Sequence, residues 1–472
     1  MKAKFIFSVI IVVLCLGKAN SQIILPAQKV LLQERDKEIL NKHLKEYIPF
    51  RIDKRELIDN LYKNGECRFR IHIDEKNDWT LDMEFNDMRD PDFKQTYITD
   101  EGTFENKSFN LNIFKGFTSD NQVARFTIDE NTFFGVILGN QEHYVIRPAK
   151  DYTKNNDDES LILYLSSDII KKTKVIDYIN DYLENPDENI NDLIMQDDMM
   201  EITTRASTPC IYYLKIATDA DYQFYCANGQ NIQNTYNKIF STLNIVEGVY
   251  ESTFKMKFVL TYQNVWTTSS GHPYTSTDAS ILLGQFQNHW NAYFPYSNFQ
   301  RNIAHLFTGK NLDSTDIGYG SIGSINDASA YALSTDYEIN SVVAHEIGHN
   351  LGARHVTNTT TCLCYSSQNS IMCDVQYGTF NLWFCQTSIT QINAFISPRQ
   401  SLLVGDQYLN LSGTVTGFRE YKAKNTITSN QVINSGITSY VAGTNITFSN
   451  GFGVNAGAIL KVEIKNVSDC QY

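Results

Sequence analysis

The run HEIGHNLGARH sets His345, Glu346, His349, Gly352 and His355 in the pattern HExxHxxGxxH, which leaves the local fold little freedom. A helix turns about 100° per residue, so His345 and His349, four apart, leave one face and can share a metal ion through their imidazole nitrogens. Glu346 then stands beside that ion. Gly352 lacks a Cβ and can end the helix in a left-handed turn, bringing His355 back as a third ligand and leaving a fourth position for water. Ile339, Val343, Ile347 and Leu351 recur every four residues as a core-facing stripe, and Thr335 with Glu338 forms a candidate capping box at the helix start.

The surroundings of this helix carry a resemblance. Upstream stands AHLFTGKNLD followed by the glycine-rich IGYGSIG, and downstream Ser370-Ile371-Met372. With the histidine helix, this stretch from about 210 to 396 resembles a metzincin of the reprolysin or adamalysin type, the catalytic domain of venom metalloproteases and ADAM proteases. The resemblance implies an α+β catalytic domain, a twisted mixed sheet with a long active-site helix. It implies one catalytic Zn2+ on His345, His349 and His355, Glu346 as general base, and Met372 as a non-ligating floor in a Met-turn. Ca2+ is common in the family, but no ligands for it are assigned. One position departs from the pattern: Val356 follows His355 where the family usually has an aspartate that braces the domain.

The chain has 472 residues, more than one typical core, so two or three domains are expected. Lys2 and Lys4 precede the apolar run from Phe5 to Leu16, and Ala19-Asn20-Ser21 supplies small residues, so 1–21 reads as a signal peptide. That run is too short to span a bilayer, and no later segment qualifies, so the protein is expected to be secreted. The formal net charge of −13, with no concentrated basic segment, excludes a nucleic-acid partner.

Acidic residues crowd the part before position 206, which suggests a separate folding unit. It opens with a candidate amphipathic helix, Lys29 to Tyr47, and continues through strand-like runs such as CRFRIHID, WTLDMEF, TFFGVIL and HYVIRPA. By resemblance, 22–205 is an inhibitory propeptide, with Arg205 as the cleavage point. A permanent N-terminal β domain is the competing reading. Cys67, the lone cysteine of this segment, is a candidate zymogen switch; a buried thiol, or blocking by Asp197 or Asp198, are the alternatives.

The catalytic part, 206–398, opens on a strand and helix in CIYYLKIATDADYQFYC, the amphipathic stretch Asn231 to Glu251, and the strand FKMKFVLTYQNVW. Its cysteines match the family's CxC pattern, which implies the disulfides Cys362 with Cys385 and Cys364 with Cys373. Cys210 and Cys226 are candidates to pair locally, and Cys470 is left odd. A second zinc site on the four clustered thiols is disfavoured by an oxidising compartment. From about 405 to 470 the chain turns to Gly, Ser, Thr, Asn and Val in short strand-like pieces, a small all-β module. Its GFGVNAGA is similar to C-terminal β-stack modules of some secreted bacterial proteins, so surface attachment and simple capping both stand open.

The reading is a secreted zinc endopeptidase made as a zymogen, acting on polypeptides that pair with the edge strand around Ile317 to Ile322. The alternative is a catalytically silent binding or adhesion protein, against which the intact Glu346 argues. Cleavage preference depends on how 374–384 fold.

Overall fold

The computed structural model describes residues 22–106, 111–139, 142–155, 159–170, 175–176, 211–313, 316–336, 339–356, 362–364, 369–376 and 382–465. Residues 1–21, read above as a signal peptide, and Arg205, Asp197, Asp198, Cys210, Glu338 and Cys470 lie outside them.

The catalytic sheet has seven strands in the order Gly318–Gly320, Tyr331–Thr335, Ile303–Thr308, Tyr212–Ala220, Met256–Trp266, Arg89–Thr99 and Gly102–Glu105. The five middle strands run parallel, and the two outermost are antiparallel to their neighbours. Both faces are covered, as a parallel sheet requires. Helix Ala279–Tyr293 packs Phe286 and Trp290 on one face, in a cluster with Tyr262, Leu306 and Tyr331. The long helix Ile232–Phe254 and the histidine helix Ile339–Asn350 lie on the other. The expected stripe of Ile339, Val343, Ile347 and Leu351 is buried, yet so is every other residue of the histidine helix, which is therefore a central rod rather than an amphipathic surface helix. Thr335 does not cap it. It is the last residue of its strand, and its hydroxyl makes no hydrogen bond.

The N-terminal part forms a ten-stranded, mostly antiparallel sheet. The runs read as strands in sequence appear as Glu66–His72, Asp78–Phe85, Phe133–Leu138 and His143–Pro148. The helix expected over Lys29 to Tyr47 shrinks to Glu34–Leu40, because Gln28 and Lys29 pair as a strand with Arg51 and Phe50, and Ile48 opens the next strand. Tertiary pairing wins there over local periodicity.

The separate folding unit expected from the charge distribution is not separate in its core. One hydrophobic cluster runs from Ile23 and Phe69 in the N-terminal sheet through Phe240 and Tyr250 of the long helix to Met372 and Ile396. Asn244, fully buried on that helix, donates to the carbonyls of Phe114 and Phe126 at 3.2 Å each and accepts from Asn86 at 2.9 Å.

The C-terminal module is a three-sided coil of parallel strands. Tyr408–Leu411, Thr426–Ser429 and Asn445–Phe448 stack on one side, and two further three-strand sheets make the other two. Its turns repeat every 18 or 19 residues, as in the partners Tyr408, Thr426 and Asn445. Leu409, Val415, Ile427, Ile433 and the stacked Tyr421 and Tyr440 fill the inside. No helix among the described residues is long and apolar enough to cross a membrane.

Asn244→Ala would remove three hydrogen bonds from the buried junction. We expect a loss of about 2–3 kcal/mol in stability, read as a lower urea midpoint with an unchanged slope. A change within about 0.5 kcal/mol would show that this helix–sheet junction is not held by that side chain.

Candidate metal centre

His345, His349 and His355 meet at one point. Their Nε2 atoms are 2.9 Å (His345–His349), 3.1 Å (His345–His355) and 3.2 Å (His349–His355) apart. Two of the three rings are oriented from behind. His345 Nδ1 donates to the Ile371 carbonyl at 2.6 Å, and His349 Nδ1 donates to the Ala353 carbonyl at 2.8 Å. A carbonyl can only accept, so each Nδ1 carries the proton and each Nε2 turns a lone pair inward. Two inward lone pairs beside a third imidazole nitrogen suit a cation lying among them, and a triangle with these edges fits an ion about 2.0–2.1 Å from each nitrogen. Among the described residues this is the group of histidine, cysteine or acidic side chains that converges closely enough to hold a metal.

Gly352 performs the turn expected of it. Its φ is +87°, its N–H donates to the His349 carbonyl at 2.8 Å, and Ala353 N–H donates to the Gly348 carbonyl at 2.9 Å. A Cβ there would lie 2.7 Å from Phe395, so both conformation and packing demand glycine. His345 and His349 are buried, and His355 is half-buried at the mouth of the site.

Met372 is fully buried beneath the helix. Its Sδ would stand 2.6 Å from a Cβ at Gly348, so Gly348, between the two helical histidines, is small because the thioether packs there. The Met-turn is held by backbone. Val356 N–H donates to the Met372 carbonyl at 2.9 Å, and Val356 bridges to Cys373. Val356 thus joins the chain after His355 to the Met-turn through its main chain, while its side chain is buried where the family usually has a carboxylate. The disulfides Cys362–Cys385 and Cys364–Cys373 close around this turn as the family pattern implied.

Two glycines that the sequence reading left without a role bear on Glu346. The edge strand Gly318-Tyr319-Gly320 lies against its carboxylate: a Cβ on Gly318 would overlap Oε1, and one on Gly320 would lie 2.9 Å from Oε2. The Gly-x-Gly spacing was the available signal, since alternate strand residues face one side. Asn350 ties the parts together by donating to the carbonyls of Ser321 at 2.9 Å and Tyr331 at 3.1 Å. Gly323 and Ser324 N–H groups cap the carbonyls of His349 and Asn350 at the helix end.

Two of the candidate cysteines stand apart from the roles expected of them. Cys67 is not brought to the histidines. It sits on strand Glu66–His72 of the N-terminal sheet, its thiol directed at the Arg68 carbonyl 3.7 Å away, and burial pushes its pKa up to about 11, against a reactive thiolate. Cys226 is not in a disulfide. Cys226 lies in the helix Tyr222–Ala227, and Cys210, its expected partner, lies outside the described residues. The segment 374–384 is described only in part, and the backbone of Val375–Gln376 pairs antiparallel with Val175–Ile176.

With this geometry in place, comparison with known families finds that residues 212–405 match the reprolysin (M12B) family zinc metalloprotease model.

Gly352→Ala places an L-residue in a left-handed turn, at roughly 1–2 kcal/mol, against Phe395. Displacing His355 should weaken zinc retention at least about tenfold in a competitive chelator titration, a size typical of lost ligand positioning. Met372→Leu should keep the metal and cost less than about 1.5 kcal/mol in thermal unfolding.

Proposed function

Residues 212–405 are a reprolysin-type zinc metalloprotease domain, and from this premise we propose that the protein is an exported, latent endopeptidase in which His345, His349 and His355 hold one zinc ion and Glu346 is the general base. The observation that carries it is the convergence of three imidazole Nε2 atoms, two of them backed by carbonyl acceptors, beside a glutamate set against the edge strand. A bound zinc ion supplies Lewis-acid polarisation of a peptide carbonyl and of water.

The chain's own residues do the rest. Glu346 accepts the proton of the attacking water and passes it to the leaving amine nitrogen. Gly318 and Gly320 keep side chains away from that carboxylate, so the edge strand can approach it closely. Among the described residues that strand pairs on one side, with Tyr331–Thr335, and its other edge can take an extended polypeptide. Tyr250 donates to the Ala344 carbonyl at 2.8 Å and props the helix one residue before His345, still protonated because burial, and then the Glu346 charge, push its pKa well above the ordinary range.

Export rests on the charged and apolar leader pattern of 1–21. Latency we assign to the connecting segment 171–205 rather than to Cys67. Support comes from the pairing of Val175–Ile176 with the strand immediately beyond the Met-turn, and from the place of Cys67 in a different sheet. No Ca2+ ligands are assigned.

Glu346→Gln should lower kcat/KM on a quenched peptide library by about 10²–10⁴-fold while one zinc per chain remains bound. Proteolysis at wild-type rates in that variant would remove Glu346 from the role of base. Intact protein should gain activity on cleavage near Arg205, and Cys67→Ala should leave the uncut protein as latent as the wild type; an uncut Cys67→Ala protein that is already active would restore the thiol switch.

A further inference from the structure

The strand Arg89–Thr99 belongs by sequence to the N-terminal part and by structure to the catalytic sheet. It pairs parallel with Met256–Trp266 in the register Tyr262↔Lys94 to Trp266↔Ile98. The join reaches into side chains. Gln95 donates to Gln263 at 2.7 Å, and Thr96 Oγ1 lies 2.8 Å from both the Tyr262 hydroxyl and Asn264 Oδ1. Asn264 donates onward to the buried Asp219 at 3.0 Å, which also accepts from Tyr274 at 2.6 Å and Trp290 at 2.8 Å. A polar ladder thus crosses three strands and two sequence segments without leaving the interior. Tyr236 of the long helix donates to the Thr96 carbonyl at 2.7 Å.

The C-terminal coil grips the same N-terminal part from a second side. Asp87, which is fully buried, holds Arg89 at 2.6 Å and accepts from the Glu420 N–H at 2.9 Å. Arg419 donates to the Asp90 carbonyl at 3.0 Å, and Phe85 stacks on Phe418 at 4.5 Å between centroids. In the sheet order these contacts stand at the end opposite the Gly318–Gly320 edge.

We propose that residues 22–170 are a permanent structural subunit of the enzyme, completing the catalytic sheet, and that cleavage in the 171–205 connection produces a two-chain protein rather than a freed catalytic domain. Removing this subunit would open an eleven-residue strand along the whole edge that Arg89–Thr99 covers, a form prone to aggregate. It would also expose Gln263, Asn264, Asn244 and Glu247, all buried and hydrogen-bonded across the join or beside it. An inhibitor that must leave does not share its host's core. The inference does not depend on the peptidase reading, since it concerns the sheet edge remote from the histidines.

The test is a full-length chain carrying a site-specific protease sequence inserted after Arg205. After complete cutting, judged on a denaturing gel, both fragments should elute together at the intact size on gel filtration and unfold in one urea transition. A soluble catalytic fragment eluting alone would overturn the proposal. Thr96→Val removes the hydroxyl that links Tyr262 and Asn264 and keeps the shape, so in the cut protein it should lower the urea concentration at which the two fragments part. An unchanged parting point would show that the ladder does not hold them. None of these readouts uses activity, so the result stands apart from the metal-site reading.

Discussion

The hydrogen bond from His345 Nδ1 to the Ile371 carbonyl is the joint on which the site depends. It fixes the tautomer of one candidate ligand and ties the histidine helix to the Met-turn, two segments 26 residues apart. Every neighbouring feature protects that joint. The two disulfides hold the turn's flanks, Met372 fills the space beneath Gly348, and the main chain of Val356 closes the loop from His355 back to Met372. Ligands positioned by backbone in this way lose little freedom when an ion binds, which favours an open site held in readiness.

The same economy governs the protein at larger scale. The long helix Ile232–Phe254 is buried on nearly all sides, with the catalytic sheet and histidine helix against it and the ten-stranded sheet beyond. Burying polar groups such as Asn244 and Glu247 there is tolerable because the N-terminal strands supply their partners. Stability of the metal site is thereby linked to a segment that precedes it by more than a hundred residues.

What the sequence disclosed was what is local. The three histidines, Gly352 and Met372 sit at short fixed spacings, and helix geometry or a single left-handed turn converts spacing into position. Several strands, Glu66–His72 and Asp78–Phe85 among them, were visible from alternation. Apart from the cap expected of Thr335, the misses required distant partners. The helix read over Lys29 to Tyr47 lost its start to a strand pairing with Phe50 and Arg51, and the disulfide expected at Cys226 is not formed. Nothing in Arg89–Thr99 announces that it will join another sheet, since its pattern of half-buried residues suits either. The C-terminal coil did leave a trace: Thr426-Ile427-Thr428 returns as Asn445-Ile446-Thr447 nineteen residues later, the period of one turn. Gly318 and Gly320 were legible as part of an edge strand, but their bearing on Glu346 was not, because it depends on a helix packed against that strand from later in the chain.

We propose that three histidine nitrogens, and no thiolate, hold the ion. Zinc K-edge X-ray absorption on the purified full-length protein reads this directly. The account predicts nitrogen and oxygen scatterers alone, three of them imidazoles, at about 2.0–2.1 Å. A sulfur scatterer at about 2.3 Å, or a protein that retains no zinc, would contradict it.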